Sequence, residues 1–302
     1  MTKKGKIILS VCLVIGILTI GIIPFKFNLF TSKAEATDIS DTLSNIGVNS
    51  PIKLLLNDQF KLIQLEKANR LLEEKRAIIE AQRLQEEQKR LEEERLEILE
   101  NDPNAKFAYL TFDDGPSEKH TNQILDILKE YDIKATFFVV GSMTEKYPDL
   151  LKRIYDEGHV IGNHSYSHVY KYIYKNSTNF IDDLNKADKV LKDILGESFE
   201  TKLLRFPGGS FGKHKAPMIK AAEKEGYTIY DWNALNGDAE GLNLKNSYLI
   251  RRLKETTRNK KHAIILMHDT DAKKGTVETL KENIDYLISR GFHFRVLEEK
   301  ND

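Results

Sequence analysis

Cysteine is almost absent from this chain, occurring once in 302 residues, as Cys12. That excludes a disulfide framework and a thiolate zinc knuckle, so any metal must be held by histidine and carboxylate. An excess of charge is missing too. The 46 basic and 46 acidic residues cancel, and with no basic balance to attract phosphates, no nucleic-acid partner is expected. Glycine and proline are missing from about Phe60 to Glu100, which removes the residues that most often end a helix.

Charge is also absent between Ile7 and Phe25, in "IILSVCLVIGILTIGIIPF". Nineteen residues rising about 1.5 Å each give roughly 28 Å, close to the ~30 Å hydrocarbon core of a bilayer. Lys3, Lys4 and Lys6 precede this run, and basic residues on the short side favour an inside N-terminus. The expectation is a short cytoplasmic tail and a single-pass signal anchor over 1–25, with everything after Phe25 outside the cell membrane. A cleaved signal peptide is the alternative, because "AEA" at Ala34 to Ala36 has the small-x-small form of a cleavage site. Cys12 is a poor lipobox, with Val11 before it and apolar chain after it.

Residues 26–57 read as a linker and 58–101 as a charged helical stalk. Ala77, Leu84, Leu91 and Ile98 recur every seven residues, but Gln88 and Arg95 occupy the partner positions. The seam is half apolar, which fits a solvated stalk or a weak coiled coil through which a homodimer could form. "NDPN" at Asn101 to Asn104 then marks a boundary.

From Ala105 to Glu298 short apolar runs alternate with amphipathic stretches. The strand candidates are "FAYLTF", "ATFFVVG", "HVIGNH", "KLLRF", "YTIYDW", "HAIILMH" and "HFRVLEE". Seven strands alternating with helices predict an α/β fold with a parallel sheet, whose closed form is a barrel with its chemistry at the C-terminal strand ends. The first strand ends in Asp113 and Asp114, the third runs into His164 and His168, and the fourth into Arg205. The fifth leads towards Asp238 and the sixth into His268.

"TFDDGPS" places two carboxylates side by side at a strand end, where mutual repulsion calls for a cation or a basic side chain. "HSYSH" puts His164 and His168 at i and i+4, which on a helical turn brings both rings to one side, the spacing used for a divalent metal. Two imidazoles and one carboxylate with open positions form a catalytic metal pattern, zinc first. A divalent ion lowers the pKa of water towards neutrality, and the carboxylate not needed as a ligand can accept the proton. His268 can then protonate a leaving amine. A serine esterase is the rival, since "GGSFG" has the G-x-S-x-G form and Ser210, Asp238 and His268 follow a hydrolase triad order. Pro207 before the serine, and a helix delayed to about Ala216, argue against an elbow.

"TFDDGPS", "HSYSH", "RFPGG", "NALNGD" and "LMHD", in that order, resemble the five motifs of the polysaccharide deacetylase family, carbohydrate esterase family 4. The resemblance implies a distorted (β/α)7 barrel and hydrolysis of N-acetyl groups on N-acetylglucosamine polymers, or O-acetyl groups on xylan. It also implies one divalent metal, zinc first, with cobalt or manganese as alternatives. By position, Asp113 resembles the catalytic base, and Asp114, His164 and His168 resemble the metal ligands. Arg205 resembles the residue that holds the base, and Asp238 the support of His268, the general acid. The amide of Gly208, after Pro207, would help bind the oxyanion, and Leu266 would wall the acetyl-methyl pocket. Gly208 stands where many members have an aromatic residue, and Ala239 where a tryptophan is common, which predicts a more open groove. An extracellular, anchored enzyme would meet peptidoglycan, with an exopolysaccharide, chitin or xylan as alternative substrates. An inactive sugar-binding module on a partner-recruiting stalk is the reading outside enzymology.

Overall fold

A computed structural model of the protein describes residues 50–299. The expected anchor, Cys12, the "AEA" site and most of the expected linker lie outside the described residues. Among the described residues no helix is long and apolar enough to cross a membrane. The first element, α1, spans Ser50–Glu100, beginning inside the expected linker. Its Leu84, Leu91 and Ile98 are exposed. Its length of roughly 77 Å follows from 51 residues at about 1.5 Å each.

The remainder alternates strands and helices in chain order: β1 Lys106–Asp113, α2 His120–Glu130, β2 Thr136–Val139, α3 Gly141–Lys146, α4 Pro148–Asp156 and β3 Val160–Asn163. There follow α5 Tyr170–Ile173, α6 Ser177–Leu195, β4 Leu203–Leu204, α7 Ala216–Lys224, β5 Thr228–Ile229 and β6 Ala234–Leu235. The chain closes with α8 Asn246–Thr257, β7 His262–His268, α9 Lys274–Ser289 and β8 Phe292–Phe294.

Every strand pairing is parallel, in the order β5-β4-β3-β2-β1-β7-β6, and β8 pairs with the beginning of β1. β6 was not among the seven expected strands. Two residues are too few to show a period-two pattern, and its partner β7 is distant in sequence.

The edges β5 and β6 do not pair among the described residues, so hydrogen bonding leaves the ring open. Yet only Tyr230 to Asn233 separate them in the chain, five steps of at most ~3.8 Å, or about 19 Å. Seven strands laid flat would put their edges roughly 29 Å apart at ~4.8 Å per strand. The sheet must therefore curl, and the architecture is a parallel-strand half-barrel.

Alternation along each strand sorts its two faces. Leu110, Phe112, Phe137, Val139, Ile265 and Met267 join a core with Ile124, Leu125 and Leu128 of α2, Leu151 and Ile154 of α4, and Leu280, Ile284 and Leu287 of α9. The opposite face carries Tyr109, Thr111 and Asp113 on β1 and Ile264, Leu266 and His268 on β7. Tyr109 and Ile264 pack there with Phe138, Leu203 and Leu297. The β1–β7 register sets Thr111 beside Leu266 and Asp113 beside His268. Two chemically active groups therefore sit on adjacent strand ends.

Gly115 shows how tightly the chain turns after β1. A Cβ built there would lie 2.1 Å from Oδ2 of Asp269, a side chain buried just beyond β7. Gly115→Ala is expected to lower stability by about 1–3 kcal/mol through overpacking. Thermal unfolding checks it, with a fall of about 2–4 °C per kcal/mol for a domain of this size.

Candidate active site

The doublet at the end of β1 is split by backbone geometry. Asp113 keeps the strand conformation and is buried. Asp114 has φ 76°, a left-handed conformation uncommon outside glycine, Asn and Asp. One carboxylate thus goes to the arginine and the other to the histidines.

Arg205, at the end of β4, has no exposed surface. Its Nη1 donates to Asp113 Oδ1 at 2.8 Å and to Thr111 Oγ1 at 2.6 Å, and its Nε donates to the Tyr230 carbonyl at 2.9 Å. The guanidinium carbon lies 4.2 Å from the ring centroid of Phe138, a cation–π contact that helps offset desolvation. Asp113 Oδ2 is left on the other side, 3.9 Å from His164 Nε2. Breaking such a buried pair by removing one partner costs about 3–5 kcal/mol, because a charge is left unpaired.

His164 follows β3 and donates Nδ1–H to the Arg205 carbonyl at 2.7 Å, which turns Nε2 toward Asp114. Nε2 of His164 lies 3.3 Å, and Nε2 of His168 3.1 Å, from Asp114 Oδ1. That oxygen is buried with no hydrogen-bond partner among the described residues. Burial would raise the Asp114 carboxyl, but the two imidazoles outweigh burial and hold it well below the usual carboxylate range. A carboxylate facing two ring nitrogens asks for positive charge between them. Ligands each about 2.0–2.1 Å from a tetrahedral zinc stand about 3.3 Å apart, so the donor set and its spacing fit a divalent ion. Asp114, His164 and His168 also form a three-donor group that could hold a metal ion, their ligand atoms all within 4.8 Å of one another.

The two histidines meet for a different reason than helical spacing. "HSYSH" is an irregular loop with Ser165 at φ 75° and His168 at φ 53°. The Asp183 carboxylate on α6 holds it, accepting from Ser165 Oγ at 2.6 Å, Tyr166 N at 2.7 Å and Ser167 N at 3.2 Å. The Ser165 hydroxyl in turn accepts from His168 N at 2.9 Å. Such left-handed residues persist only where the surroundings fix them.

On the β7 side, His268 Nδ1 donates to Asp238 Oδ1 at 2.8 Å. Asp238 is held in turn: its Oδ2 accepts from Thr276 Oγ1 at 2.7 Å and from the His268 amide at 2.8 Å. Burial disfavours the charged imidazole, but the hydrogen bond to Asp238 and the charges of Asp238, Asp113 and Asp114 push its pKa up to about 9. Next to it, burial and then the charges of Asp114 and Asp113 push the Asp269 carboxyl up to about 7. Asp269 Oδ2 accepts from Thr121 Oγ1 at 2.6 Å, and the Asp269 backbone carbonyl accepts from Ser117 Oγ at 2.5 Å.

The residues expected from the strand ends thus divide into an arginine-held carboxylate, a carboxylate with two imidazoles, and an imidazole held by a third carboxylate. Leu266 is buried on the inner face beside Thr111. Pro207 is buried and Gly208 exposed, with φ 69°. A Cβ on Gly208 would lie 2.9 Å from the Tyr170 hydroxyl, so Tyr170 occupies space beside the position where an aromatic residue was missed. Ala239 is exposed. Ser210 donates its hydroxyl and its amide to Asp231 rather than to an imidazole, while His268 is engaged by Asp238. The serine therefore lacks the base that nucleophilic attack requires.

Thr111, Asp183 and Thr276 were not read from the sequence. For Thr111 a signal was there, since it shares an alternating face with Asp113. Asp183 and Thr276 lie on helices whose faces toward the site are set by packing.

A family model described as polysaccharide deacetylase matches residues 100–230. A peptidoglycan-N-acetylglucosamine deacetylase of Bacillus cereus is 31% identical over 210 residues, 67% of this chain and 72% of the relative. The solved structure of a Streptococcus mutans CE4 esterase superposes with TM-score 0.60 at 35% identity, covering 67% of this chain and 90% of that one. The catalytic domain of a peptidoglycan N-acetylglucosamine deacetylase from Eubacterium rectale gives TM-score 0.60 at 29% identity, covering 67% and 92%. With its half-barrel and the three clusters at its strand ends, the chain belongs to the polysaccharide deacetylase family.

Proposed function

We infer that this member removes N-acetyl groups from N-acetylglucosamine residues of peptidoglycan. The observation that carries the reading is the pairing of Asp113 with His268 across the β1–β7 register, with the Asp114, His164 and His168 cluster beside them. The peptidoglycan N-acetylglucosamine deacetylase activity that names the Bacillus cereus and Eubacterium rectale relatives supports the choice of polymer. Exopolysaccharide, chitin and xylan are the nearest alternative substrates.

Asp114, His164 and His168 would hold the divalent ion, with zinc first and cobalt or manganese as substitutes. When bound, it acts as a Lewis acid that polarises the acetamide carbonyl and acidifies water. Arg205 ties down Asp113 Oδ1, which leaves Oδ2 to take the proton of the attacking water. As charge develops on the carbonyl oxygen, the exposed N–H of Gly208 supplies a donor. His268, protonated at neutral pH, passes its Nε2 proton to the leaving amine, and Asp238 holds the imidazolium in place. Leu266 offers an apolar wall for the acetyl methyl.

The N-terminal run over 7–25 is proposed as a membrane anchor that places the catalytic domain on the outer side, with α1 as its stalk. The exposed Leu84, Leu91 and Ile98 are the positions through which two stalks would pair.

Supplied with zinc, cobalt or manganese, the protein is expected to release acetate from peptidoglycan and from N-acetylated chitooligosaccharides. No release from either polymer would overturn the assignment. Asp113→Ala should lower turnover by about 100- to 10,000-fold, the range for a general base, with metal content retained. His164→Ala should lose the metal, read by elemental analysis of the purified protein.

The raised pKa of His268 gives a signed prediction. Its folded value, about 9, exceeds the 6.5 of an ordinary imidazole. The stabilisation from its Asp238 pair is complete below about pH 6.5 and lost as pH rises through about 9. In metal-free protein an NMR titration should find His268 near 9, and Asp238→Asn should move it down towards 6.5. The same variant should lower turnover at neutral pH while leaving metal content unchanged.

A further inference from the structure

Lys215, just before α7, is 6% exposed, yet its Nζ donates to carbonyls and to no carboxylate among the described residues. A buried ammonium without a counter-ion is costly unless other groups solvate it. Here the solvating groups are backbone carbonyls: Nζ donates to Pro207 O at 3.2 Å and to Gly209 O, and stands 4.2 Å from the ring centroid of Tyr174. The Tyr174 hydroxyl donates to the same Pro207 carbonyl at 2.7 Å.

Phe206 to Gly209 form a tight turn closed by Gly209 N donating to Phe206 O at 2.7 Å. Proline in second place and glycine in third with φ 69° is the type II form. A type I turn over the same four residues differs mainly by a flip of the central peptide, which exchanges the directions of its C=O and N–H. The central peptide here is Pro207–Gly208. Its oxygen end receives two donors, while the Gly208 N–H at its other end is given to no group among the described residues. In a trans peptide the two point in opposite directions, so holding the oxygen aims the nitrogen.

We propose that Lys215 and Tyr174 are positioning residues that lock the Pro207–Gly208 peptide with its N–H presented to the developing oxyanion. The proposal rests on the deacetylase reading for the purpose of that N–H, and on the turn geometry for the lock itself. Two donors on the carbonyl also polarise the amide, which strengthens the hydrogen bond its N–H can make.

The test uses the full-length protein with Lys215→Met and Tyr174→Phe. Because losing an oxyanion donor costs about 100- to 1,000-fold, a donor freed to flip should cost kcat about 10-fold or more in Lys215→Met and less in Tyr174→Phe. KM for an N-acetylated chitooligosaccharide and zinc content should stay within about twofold, as expected when an interaction made only in the transition state is lost. In metal-free, glycine-labelled protein the Gly208 amide resonance should move in both variants, a readout independent of activity. If Lys215→Met does not fold, Tyr174→Phe carries both measurements.

An unmoved Gly208 resonance, or kcat unchanged in both variants, overturns the proposal. So does a loss confined to KM or melting temperature. If the unaltered protein releases no acetate, the deacetylase reading fails instead, and the resonance still reports whether the lock exists.

Discussion

Two neighbouring carboxylates that cannot share one environment set the terms for this site. Asp113 and Asp114 are consecutive, and side by side in one direction they would repel each other. The left-handed turn at Asp114 separates them, so that one meets a buried guanidinium and the other meets two imidazoles. The curl of the sheet brings Arg205 and His164 to the end of β1. The glycine after the doublet lets the chain leave without striking Asp269.

Around that division each reactive group has a support of its own. Arg205 and Thr111 steady Asp113, Asp183 steadies the histidine loop, Thr276 steadies Asp238, and Asp238 steadies His268. These supports come from β1, α6 and α9 and from the segments just beyond β4 and β6, so the site is an outcome of the whole half-barrel. Charge balance follows from the same arrangement. The arginine neutralises one aspartate and the imidazolium another, and the third is left for a cation.

Much of this was legible in the sequence because strand ends and short motifs are local signals. The strands that end in Asp113 and His268 or run into His164 and Arg205 lie where alternation and apolar runs placed them, and the delayed helix after Ser210 begins at Ala216. What local signals could not supply was pairing across the chain. β6 is too short to announce itself, and α1 begins earlier than its composition suggested because the helix continues through Pro51 in its first turn, where proline is tolerated. The i, i+4 spacing of His164 and His168 implied a helical turn, but the two rings meet on a loop, which an aspartate 15 residues beyond the second histidine shapes. Tyr170 and Lys215 were passed over because an isolated tyrosine or lysine gives no pattern, and only the folded chain brings them to Gly208 and Pro207.

The ligands of the ion can be read by X-ray absorption at the zinc edge of the metal-loaded protein. One ion per chain is expected, with two imidazole nitrogens and a carboxylate oxygen at about 2.0–2.2 Å. A shell lacking both imidazoles, or an ion bound equally well after His164 and His168 are replaced together, would contradict it.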